Sequence, residues 1–379
     1  MRYNRTIDFI KGLYLDKSFI PLHEPKFIGN EKKYVIDAID STYVSSVGEY
    51  VNKFESMMAE YIGCKYAIAV VNGTAALHMS LLLAGVEPGD LVITQALTFV
   101  ATANAIKYAG ADPLFLDVDL DTLGLSPVAF RKFSKEIDLV NGVAIHKKSG
   151  RRIKACLPMH TFGFPCKIDI LADICKELNI ALIEDAAEAI GSEYMNQKCG
   201  SFGLLGTFSF NGNKTITCGG GGIIVTNDDE LGPLAKHLTT QAKIPHKWFF
   251  NHDYIGYNYR CPNLNAAMAC AQLEVLERFI QNKRETAEIY EQHFIESEIE
   301  FLKEPVKSKS NYWLNSILLP DLNERDRFLE ETNSAGVMTR PIWTLLNKLP
   351  MFSACEAGEL NTSLAIESRL VNIPSSVRI

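Results

Sequence analysis

A regular alternation of strand-like and helix-like segments constrains the fold of this chain more than any other feature of its sequence. The predicted elements run strand, turn, helix, strand, helix and strand over residues 66–71, 72–75, 76–84, 91–94, 98–109 and 113–117. Short apolar runs of this kind predict buried strands, and strands joined by helices pair in parallel. We therefore expect an α/β fold with a mostly parallel sheet.

The next part of the chain contains a predicted excursion from that sheet. Residues 142–146 and 151–155 flank the basic turn 147–150, which predicts a hairpin. A helix over about 168–178 and a strand that runs up to Asp185 follow. The strand and helix alternation therefore continues at least as far as Asp185.

The length of the chain predicts two lobes. At 379 residues it exceeds the size at which a single core usually keeps growing. Residues 264–294 have the apolar spacing of a long helix, and residues 312–379 alternate strand-like and helical pieces. We therefore predict a large N-terminal domain over residues 1–262, and a connecting helix with a small C-terminal domain over residues 263–379.

The composition argues against several classes of partner and site. With a net charge of −7, the chain lacks the basic balance typical of nucleic-acid binding. Nine cysteines without a Cys-x-x-Cys pair fit a reducing cytoplasm better than a disulfide framework or a thiolate zinc site. The chain shows no signal-peptide pattern and no apolar run of the roughly 20 residues that span a membrane. His246 and His252 have no acid in ligand spacing, so we expect no metal.

Lys214 is the most informative residue for function. It follows a short apolar run at 207–210 and precedes four consecutive glycines at 219–222. A lysine that forms a Schiff base must be desolvated enough to lose its proton and must have open space around its amine. The apolar run and the small residues supply both conditions. The alternative is a solvated loop lysine beside a glycine turn or bulge.

Asp185 is the second informative residue. It ends the apolar run at 181–184, where we predict that a strand gives way to a helix. An Asp that keeps a pyridine nitrogen protonated and a Lys that bonds the aldehyde are the protein groups that pyridoxal phosphate most needs. A helix N-cap is the alternative for Asp185 alone. Pyridoxal phosphate explains Asp185, Lys214 and the glycines together.

A phosphate site is predicted at the first strand-to-helix turn. The exposed N–H groups of Asn-Gly-Thr-Ala at residues 72–75 and the Thr74 hydroxyl can hold a phosphate at the positive end of the helix. No Gly-Lys-Ser/Thr follows as in a Walker loop, and the three-glycine fingerprint of dinucleotide sites is missing. A plain strand-to-helix turn is the alternative.

Three further side chains each have a functional and a structural interpretation. Phe99, early in its helix, either stacks on a cofactor ring or packs in the core. Ser209 is either a second phosphate donor or an ordinary strand hydroxyl. His160 follows a strand end and either touches substrate or cofactor or is a hydrogen-bonded loop histidine.

These segments together resemble the DegT-type nucleotide-sugar aminotransferases, in order and from about Pro21 to the C-terminus. The motifs are Asn-Gly-Thr-Ala at 72–75, Thr-Phe at 98–99, Glu-Asp-Ala-Ala-Glu at 184–188, the segment 208–222, Gly-Tyr-Asn-Tyr-Arg at 256–260 and Asn-Ala-Ala at 265–267. Residues 210–217 resemble enzymes that aminate C4 of a 4-keto-6-deoxy sugar, such as perosamine synthases. Residues 42–48, 158–163 and 339–343 are similar to the legionaminic-acid-pathway aminotransferases.

The resemblance implies a fold type I pyridoxal-phosphate enzyme with a large lobe, a smaller C-terminal α/β lobe and a homodimer with shared active sites. It makes Lys214 the Schiff-base lysine and proton shuttle, and it pairs Asp185 with the pyridine nitrogen. The other implied cofactor contacts are Gly73, Thr74, Ala75, Phe99, Glu188, Ser209 and, from the neighbouring subunit, Asn258. The implied substrate contacts are His160, Asn213, Tyr259, Arg260 and Trp343.

The resemblance also implies the reaction. Glutamate gives its amino group to the cofactor and leaves as 2-oxoglutarate, and a nucleotide-linked keto sugar then receives the amine at C4. The expected sugar is a UDP-linked 2-acetamido-2,6-dideoxy-4-keto hexose, used for bacterial surface glycans of the legionaminic acid or bacillosamine type. Many relatives have Gly-Glu-Gly-Gly at 219–222 and a His near Asn347, and both differences bear on the sugar. A sugar dehydratase, which would carry His in place of Lys214, and a catalytically idle nucleotide-sugar sensor are the alternatives.

Overall fold

The structure is a computed structural model that describes residues 2–15 and 17–379. The helices are α1 (Asn4–Leu13), α2 (Glu31–Asp40), α3 (Glu49–Ile62), α4 (Gly73–Leu83), α5 (Val100–Tyr108), α6 (Pro127–Phe133), α7 (Ile168–Glu177), α8 (Leu231–Thr239), α9 (Asn263–Glu274), α10 (Leu276–Phe294), α11 (Leu322–Ser334) and α12 (Asn361–Arg369). The strands are β1 (Tyr66–Val70), β2 (Leu91–Gln95), β3 (Asp112–Leu116), β4 (Ile137–Val140), β5 (Val143–His146), β6 (Ile153–Cys156), β7 (Ala181–Asp185), β8 (Glu193–Tyr194), β9 (Gln197–Lys198), β10 (Leu205–Ser209), β11 (Gly222–Thr226), β12 (Lys243–Ile244), β13 (Asn251–His252), β14 (Glu300–Phe301), β15 (Ser308–Lys309), β16 (Asn315–Leu318), β17 (Arg340–Pro341) and β18 (Leu370–Ile373).

The central element is a seven-stranded sheet with the strand order β1-β11-β10-β7-β6-β2-β3. Five neighbouring strands, from β10 to β3, are parallel to one another, and only β11 runs against both of its neighbours. The α/β class and the mostly parallel sheet are therefore confirmed.

Both faces of this sheet are buried, as parallel sheets require. Successive residues of β1 point to opposite faces: Ile68 belongs to the core beneath α4, α5 and α8, and Ala69 to the core formed with α3 and α9. Beside α3 and α9, helices α6 and α7 cover the same face at its β2 and β3 end. The apolar character on both faces explains why these strands are continuous short apolar runs in the sequence.

A second sheet, antiparallel with the order β14-β16-β18-β17, lies in the C-terminal part of the chain. Its core contains Ile317 and Ile373 from the strands, Phe328 from α11, and Tyr290 from α10. The first helix joins this core through Ile10, although it lies at the other end of the sequence. The boundary predicted at residue 262 stays a prediction.

One local prediction holds only in part, and another is wrong. The hairpin predicted around residues 147–150 is present at its turn, where Ile145 bridges Arg152 in antiparallel fashion and the N–H of His146 donates to the carbonyl of Arg151 at 2.9 Å. Beyond the turn, β6 lies inside the main sheet between β2 and β7, while β5 pairs antiparallel with β4. The single long helix predicted over 264–294 is two helices. The N–H of Val275 donates to the carbonyl of Gln272, three residues earlier, and this tight turn ends α9 before α10 begins.

Within the described ranges 2–15 and 17–379, none of the helices combines the length and the apolar character needed to cross a membrane.

Candidate active site

The strand order brings the predicted site segments to one edge of the main sheet. The carboxyl ends of β1, β7 and β10 lead into residues 72, 186 and 210, and the carboxyl end of β2 leads towards Phe99. Ligands of open α/β sheets bind outside these carboxyl ends. Here the edge encloses a cavity of about 380 Å³, within the size range of small-molecule sites.

Aromatic, polar and charged side chains share the lining of this cavity. The residues are Asn72, Gly73, Thr74, Leu77, Phe99, Ala101, Met159, Asp185, Ala187, Glu188, Ser209, Asn211, Asn213, Lys214, Trp313 and Trp343. Phe99 is 46% exposed, so it is a wall of the cavity and not a core residue. Its ring lies 6.0 Å from that of Trp343, which belongs to the C-terminal part of the chain.

The amino end of α4 forms a small cradle. Asn72 caps the helix, because its Oδ1 accepts the N–H of Ala75 at 2.8 Å. Gly73 faces Ser209 so closely that a Cβ on Gly73 would lie 2.8 Å from the Ser209 Cβ. A Cβ on Gly222 would lie 2.4 Å from the carbonyl oxygen of Asn72. Glycine at 222 thus allows β11 to pass against this turn.

Asp185 is 2% exposed and is held by two hydrogen bonds. Its Oδ2 accepts the Thr102 hydroxyl at 2.8 Å, and its Oδ1 accepts the N–H of Ala187 at 3.1 Å. Burial raises the pKa of Asp185, whereas these two bonds and the nearby charge of Lys214 oppose the rise. The helix predicted after Asp185 is missing, since residues 186–191 form turns. Asp185 is therefore not a helix N-cap.

Lys214 and Glu188 meet inside the cavity. Lys214 Nζ lies 3.2 Å from Glu188 Oε1, and the Glu188 Oε2 accepts the N–H of Phe162 at 2.9 Å. The lysine side chain is 11% exposed, so the alternative of a solvated loop lysine is wrong. Burial raises the pKa of Glu188 to about 7, while Lys214 and the N–H of Phe162 oppose the rise. A carboxyl of this kind can exchange a proton near neutral pH.

Several predicted site residues lie outside this cavity. The N–H of Ala75 is used by the Asn72 cap. The predicted contact of His160 with substrate is wrong for this cavity: the ring is fully buried, with Nε2 3.0 Å from Glu184 Oε2 and Nδ1 accepting the N–H of Cys166. His160 is instead a hydrogen-bonded loop histidine, the structural alternative, and its contact with Glu184 stabilises the end of β7.

The loop that carries Asn258, Tyr259 and Arg260 pairs with the end of β1, where the N–H of Val71 donates to the Tyr259 carbonyl, but these three side chains do not line the cavity of their own chain. The hydroxyl of Tyr259 lies 3.0 Å from His78 Nδ1. Arg260 donates from Nε to the exposed side chain of Asn258 at 3.2 Å. In a single chain, these three side chains and the cavity do not form one site.

Two residues at the centre of the site were not predicted from the sequence. Thr102 donates to Asp185, and Trp313 lines the cavity beside Lys214. No local pattern marks Thr102, since its contact joins α5 to β7. For Trp313, the sequence offered one indication of a functional role. Tryptophan is rare, with three copies in the chain, and another of them, Trp343, was already predicted to contact substrate.

The cavity fits pyridoxal phosphate by three independent features. The Gly73 cradle is open where a side chain would fill it, and it lies at the positive end of α4, which suits a phosphate. A buried carboxylate, Asp185, is available for a protonated ring nitrogen. An amine, Lys214 Nζ, faces the same cavity and can bond an aldehyde.

Comparison with known proteins decides the family. Residues 25–379 match the DegT/DnrJ/EryC1/StrS aminotransferase family. The chain belongs to this family. Accordingly, it is an aminotransferase that depends on pyridoxal phosphate.

Individual relatives agree with this family. The chain is 40% identical over 335 residues to the GDP-perosamine synthase of Escherichia coli O157:H7, covering 88% of this chain and 87% of the relative. It is 36% identical over 334 residues to EpsN of Bacillus subtilis, named as a pyridoxal phosphate-dependent aminotransferase, covering 88% and 84%. The crystal structure of the aminotransferase TlmJ from Streptoalloteichus hindustanus superposes with a TM-score of 0.85 at 26% identity, covering 94% and 93%.

Proposed function

We propose that this aminotransferase transfers the amino group of glutamate to C4 of a nucleotide-linked 4-keto-6-deoxy sugar. The observation that carries the proposal is the position of Lys214 Nζ, in the cavity and 3.2 Å from Glu188 Oε1. An amine placed there can hold and release a proton beside a buried carboxyl. The dehydratases that the chain resembles have histidine in place of this lysine, so the presence of Lys214 disfavours dehydration.

Asp185 and Lys214 have separate roles in the proposed reaction. Pyridoxal phosphate, when bound, supplies a ring that withdraws electrons from the carbon that loses its proton. Asp185 keeps the ring nitrogen protonated, because a carboxylate stabilises an adjacent cation. Lys214 would bond the aldehyde of the cofactor, and its Nζ would hold and move the proton during amino transfer.

The remaining cavity residues hold the cofactor in this proposal. Gly73, Thr74 and Ser209 would bind its phosphate, Phe99 would stack on its ring, and Glu188 would bind its ring hydroxyl. Asn213 and Trp343, on the wall of the cavity, contact the sugar. An aromatic wall suits the apolar methyl end of a 6-deoxy sugar.

Two sugar nucleotides are candidates for the acceptor. The motifs at 42–48, 158–163 and 339–343 favour UDP-2-acetamido-2,6-dideoxy-4-keto hexose. The Escherichia coli relative, named GDP-perosamine synthase, favours a GDP-linked 4-keto-6-deoxy sugar instead. We expect the UDP-linked compound, made in the cytoplasm for a bacterial surface glycan.

A panel assay tests the reaction and the acceptor together. The holoenzyme is incubated with glutamate and with UDP-, GDP- or dTDP-linked 4-keto-6-deoxy sugars, and product mass and stereochemistry at C4 are determined. Amination of the UDP-linked sugar is the expected result. Amination of the GDP-linked sugar alone would refute the UDP assignment but retain the reaction. An unchanged cofactor spectrum with glutamate, together with no amination of any sugar, would favour the idle sensor.

We also propose that the working unit is a homodimer in which each site uses residues of both chains. Asn258 is exposed and lies outside its own cavity, so it is free to reach the phosphate site of a partner. The arm that precedes it exposes large apolar side chains, including Trp248 at 66%, Phe250 at 78% and Ile255 at 84%. Several large apolar side chains exposed on one arm support an interface with a second copy of the chain. Tyr259 and Arg260 follow Asn258 and are assigned to the same shared site.

Complementation between two inactive variants tests the shared site. Lys214→Ala and Asn258→Asp are prepared with different tags, mixed under conditions that allow subunit exchange, and purified as heterodimers. In a shared site, one of the two sites in each heterodimer regains both native residues, so partial activity returns. Dimers of two differently tagged Lys214→Ala chains, which contain no native Lys214, are the control. Verified mixed heterodimers without activity would refute the proposal.

A further inference from the structure

Trp313 lies between the active-site cavity and the C-terminal sheet, two residues before β16. It is 5% exposed and belongs to the same core as Phe328 and Ile317. Core packing is therefore one explanation for this residue. Its ring lies 6.2 Å from that of the core residue Phe162, but its indole N–H and one face of the ring contact the segment of the catalytic lysine.

The indole contacts Lys214 in two ways. The lysine Nζ lies 4.2 Å from the centre of the indole ring, within the range of a cation–π interaction. The indole Nε1 donates to the carbonyl oxygen of Asn213 at 2.7 Å, and Asn213 is the residue before Lys214. Trp313 thus contacts both the amine and the backbone that carries it, while Glu188 approaches the amine at 3.2 Å.

The backbone of Trp313 is fixed as firmly as its side chain. Its N–H donates to Asn311 Oδ1 at 2.8 Å, and its carbonyl accepts the buried Lys283 Nζ at 3.1 Å. Asn311 Nδ2 in turn donates to the carbonyl of Glu188 at 2.9 Å. One buried network therefore joins the backbone of Trp313 to the segment that carries Glu188, so the amine is held between two fixed groups.

We propose that Trp313 is a positioning residue for Lys214: its indole face holds the amine beside Glu188, and its N–H holds the backbone of Asn213. The inference rests on the proposed role of Lys214. An aromatic face attracts an ammonium group and does not compete for its proton, whereas a second carboxylate would. The Asn213 bond limits how far the lysine backbone can move between the two half-reactions.

Two substitutions separate the contacts. Trp313→Phe keeps an aromatic face beside the amine but removes the N–H donor to Asn213. Trp313→Leu removes both the face and the donor. Phe328→Leu, in the same core but outside the cavity, is the control for a loss of packing alone.

The first measurement uses cofactor-free protein and does not depend on catalysis. Lysines are labelled with a small acylating reagent, and the labelling rate of Lys214 is read by peptide mass spectrometry. The amine must leave its contact with the indole to meet the reagent, so Trp313→Leu should label Lys214 roughly five-fold faster than the wild type, as expected for the loss of one cation–π contact. Phe328→Leu should label it at the wild-type rate.

The second measurement is the single-turnover rate with glutamate at equal folded fraction. Trp313→Phe should be roughly five-fold slower, as for one lost hydrogen bond, and Trp313→Leu on the order of 10- to 100-fold slower. Unchanged labelling of Lys214 in both Trp313 variants would overturn the proposal and leave core packing as the explanation. If wild-type protein failed to react with glutamate, the proposed function would fail, while the labelling result would still stand. If Trp313→Leu does not fold, the single-turnover rate of Trp313→Phe decides, and a wild-type rate at equal folded fraction would overturn the proposal.

Discussion

Replacing Asp185 with asparagine separates the charge of this residue from its shape. Asparagine can direct its oxygen to the N–H of Ala187 and its amide group to the Thr102 hydroxyl, which can then donate to the Thr98 hydroxyl 2.9 Å away. No hydrogen bond is lost in this arrangement. The variant also removes a buried carboxyl whose pKa burial raises. We therefore expect the free energy of unfolding to change by no more than about 1 kcal/mol.

The same substitution should strongly impair amino transfer. It removes the charge that keeps the cofactor ring nitrogen protonated, and the loss of one preorganised electrostatic group costs on the order of 3 kcal/mol. We expect the single-turnover rate with glutamate to fall roughly 100-fold or more. Absorbance of the bound cofactor follows this rate, and urea unfolding of the same preparation measures stability.

Asp117 provides a matched control, because it is a buried aspartate with a purely structural set of bonds. It accepts the N–H groups of Thr362 and Ser363 at 2.9 and 2.7 Å, at the start of α12. Asp117→Asn should lower stability but leave the glutamate rate unchanged. A fully folded Asp185→Asn protein with a near-normal rate would refute the proposed electrostatic role of Asp185.

Two further predictions concern the walls of the cavity. In cofactor-free protein, burial raises the pKa of Glu188 from 4.5 to about 7, so the folded state holds this proton more tightly than the unfolded state. The free energy of unfolding of the wild type, relative to that of Glu188→Gln, should therefore fall by roughly 3 kcal/mol as the pH rises through the interval between these two pKa values. Urea unfolding at several pH values measures both free energies. A difference that does not change with pH would contradict the raised pKa of Glu188. Gly73→Ala would place a Cβ 2.8 Å from the Ser209 Cβ. We expect cofactor affinity, titrated by absorbance, to weaken on the order of 10- to 100-fold, and unchanged affinity would exclude a phosphate cradle at Gly73.

The sequence predicted the strands of the large sheet better than it predicted which strands lie next to each other and in which direction they run. β1, β2 and β3 follow from short apolar runs, because strands buried on both faces need apolar residues at every position. The same property hides strand direction, so the antiparallel position of β11 had no sequence signal. The basic turn before β6 correctly indicates a short hairpin contact between Ile145 and Arg152, but the burial of the apolar side chains of β6 favours the centre of the main sheet.

Residues at strand ends were the most predictable part of the site. Gly73, Asp185 and Ser209 sit where strands end, and the parallel arrangement places those ends at one edge. Contacts between distant elements were not predictable: Thr102 reaches Asp185 from α5, and Trp313 reaches Lys214 from the C-terminal part of the chain. Such pairs depend on how the elements pack, and a single sequence carries no pattern for that.

The identity of the lysine that bonds the cofactor is the central claim, and reduction with borohydride tests it directly. The yellow holoenzyme is reduced, digested and mapped by mass spectrometry, with Lys214→Ala treated in parallel. Lys283 is the strongest competitor, because it is buried and burial lowers its pKa to about 7. We predict that the visible band is lost and that the adduct lies on Lys214, with no adduct in Lys214→Ala. An adduct on Lys283 or on any other lysine of the wild-type protein would contradict the account.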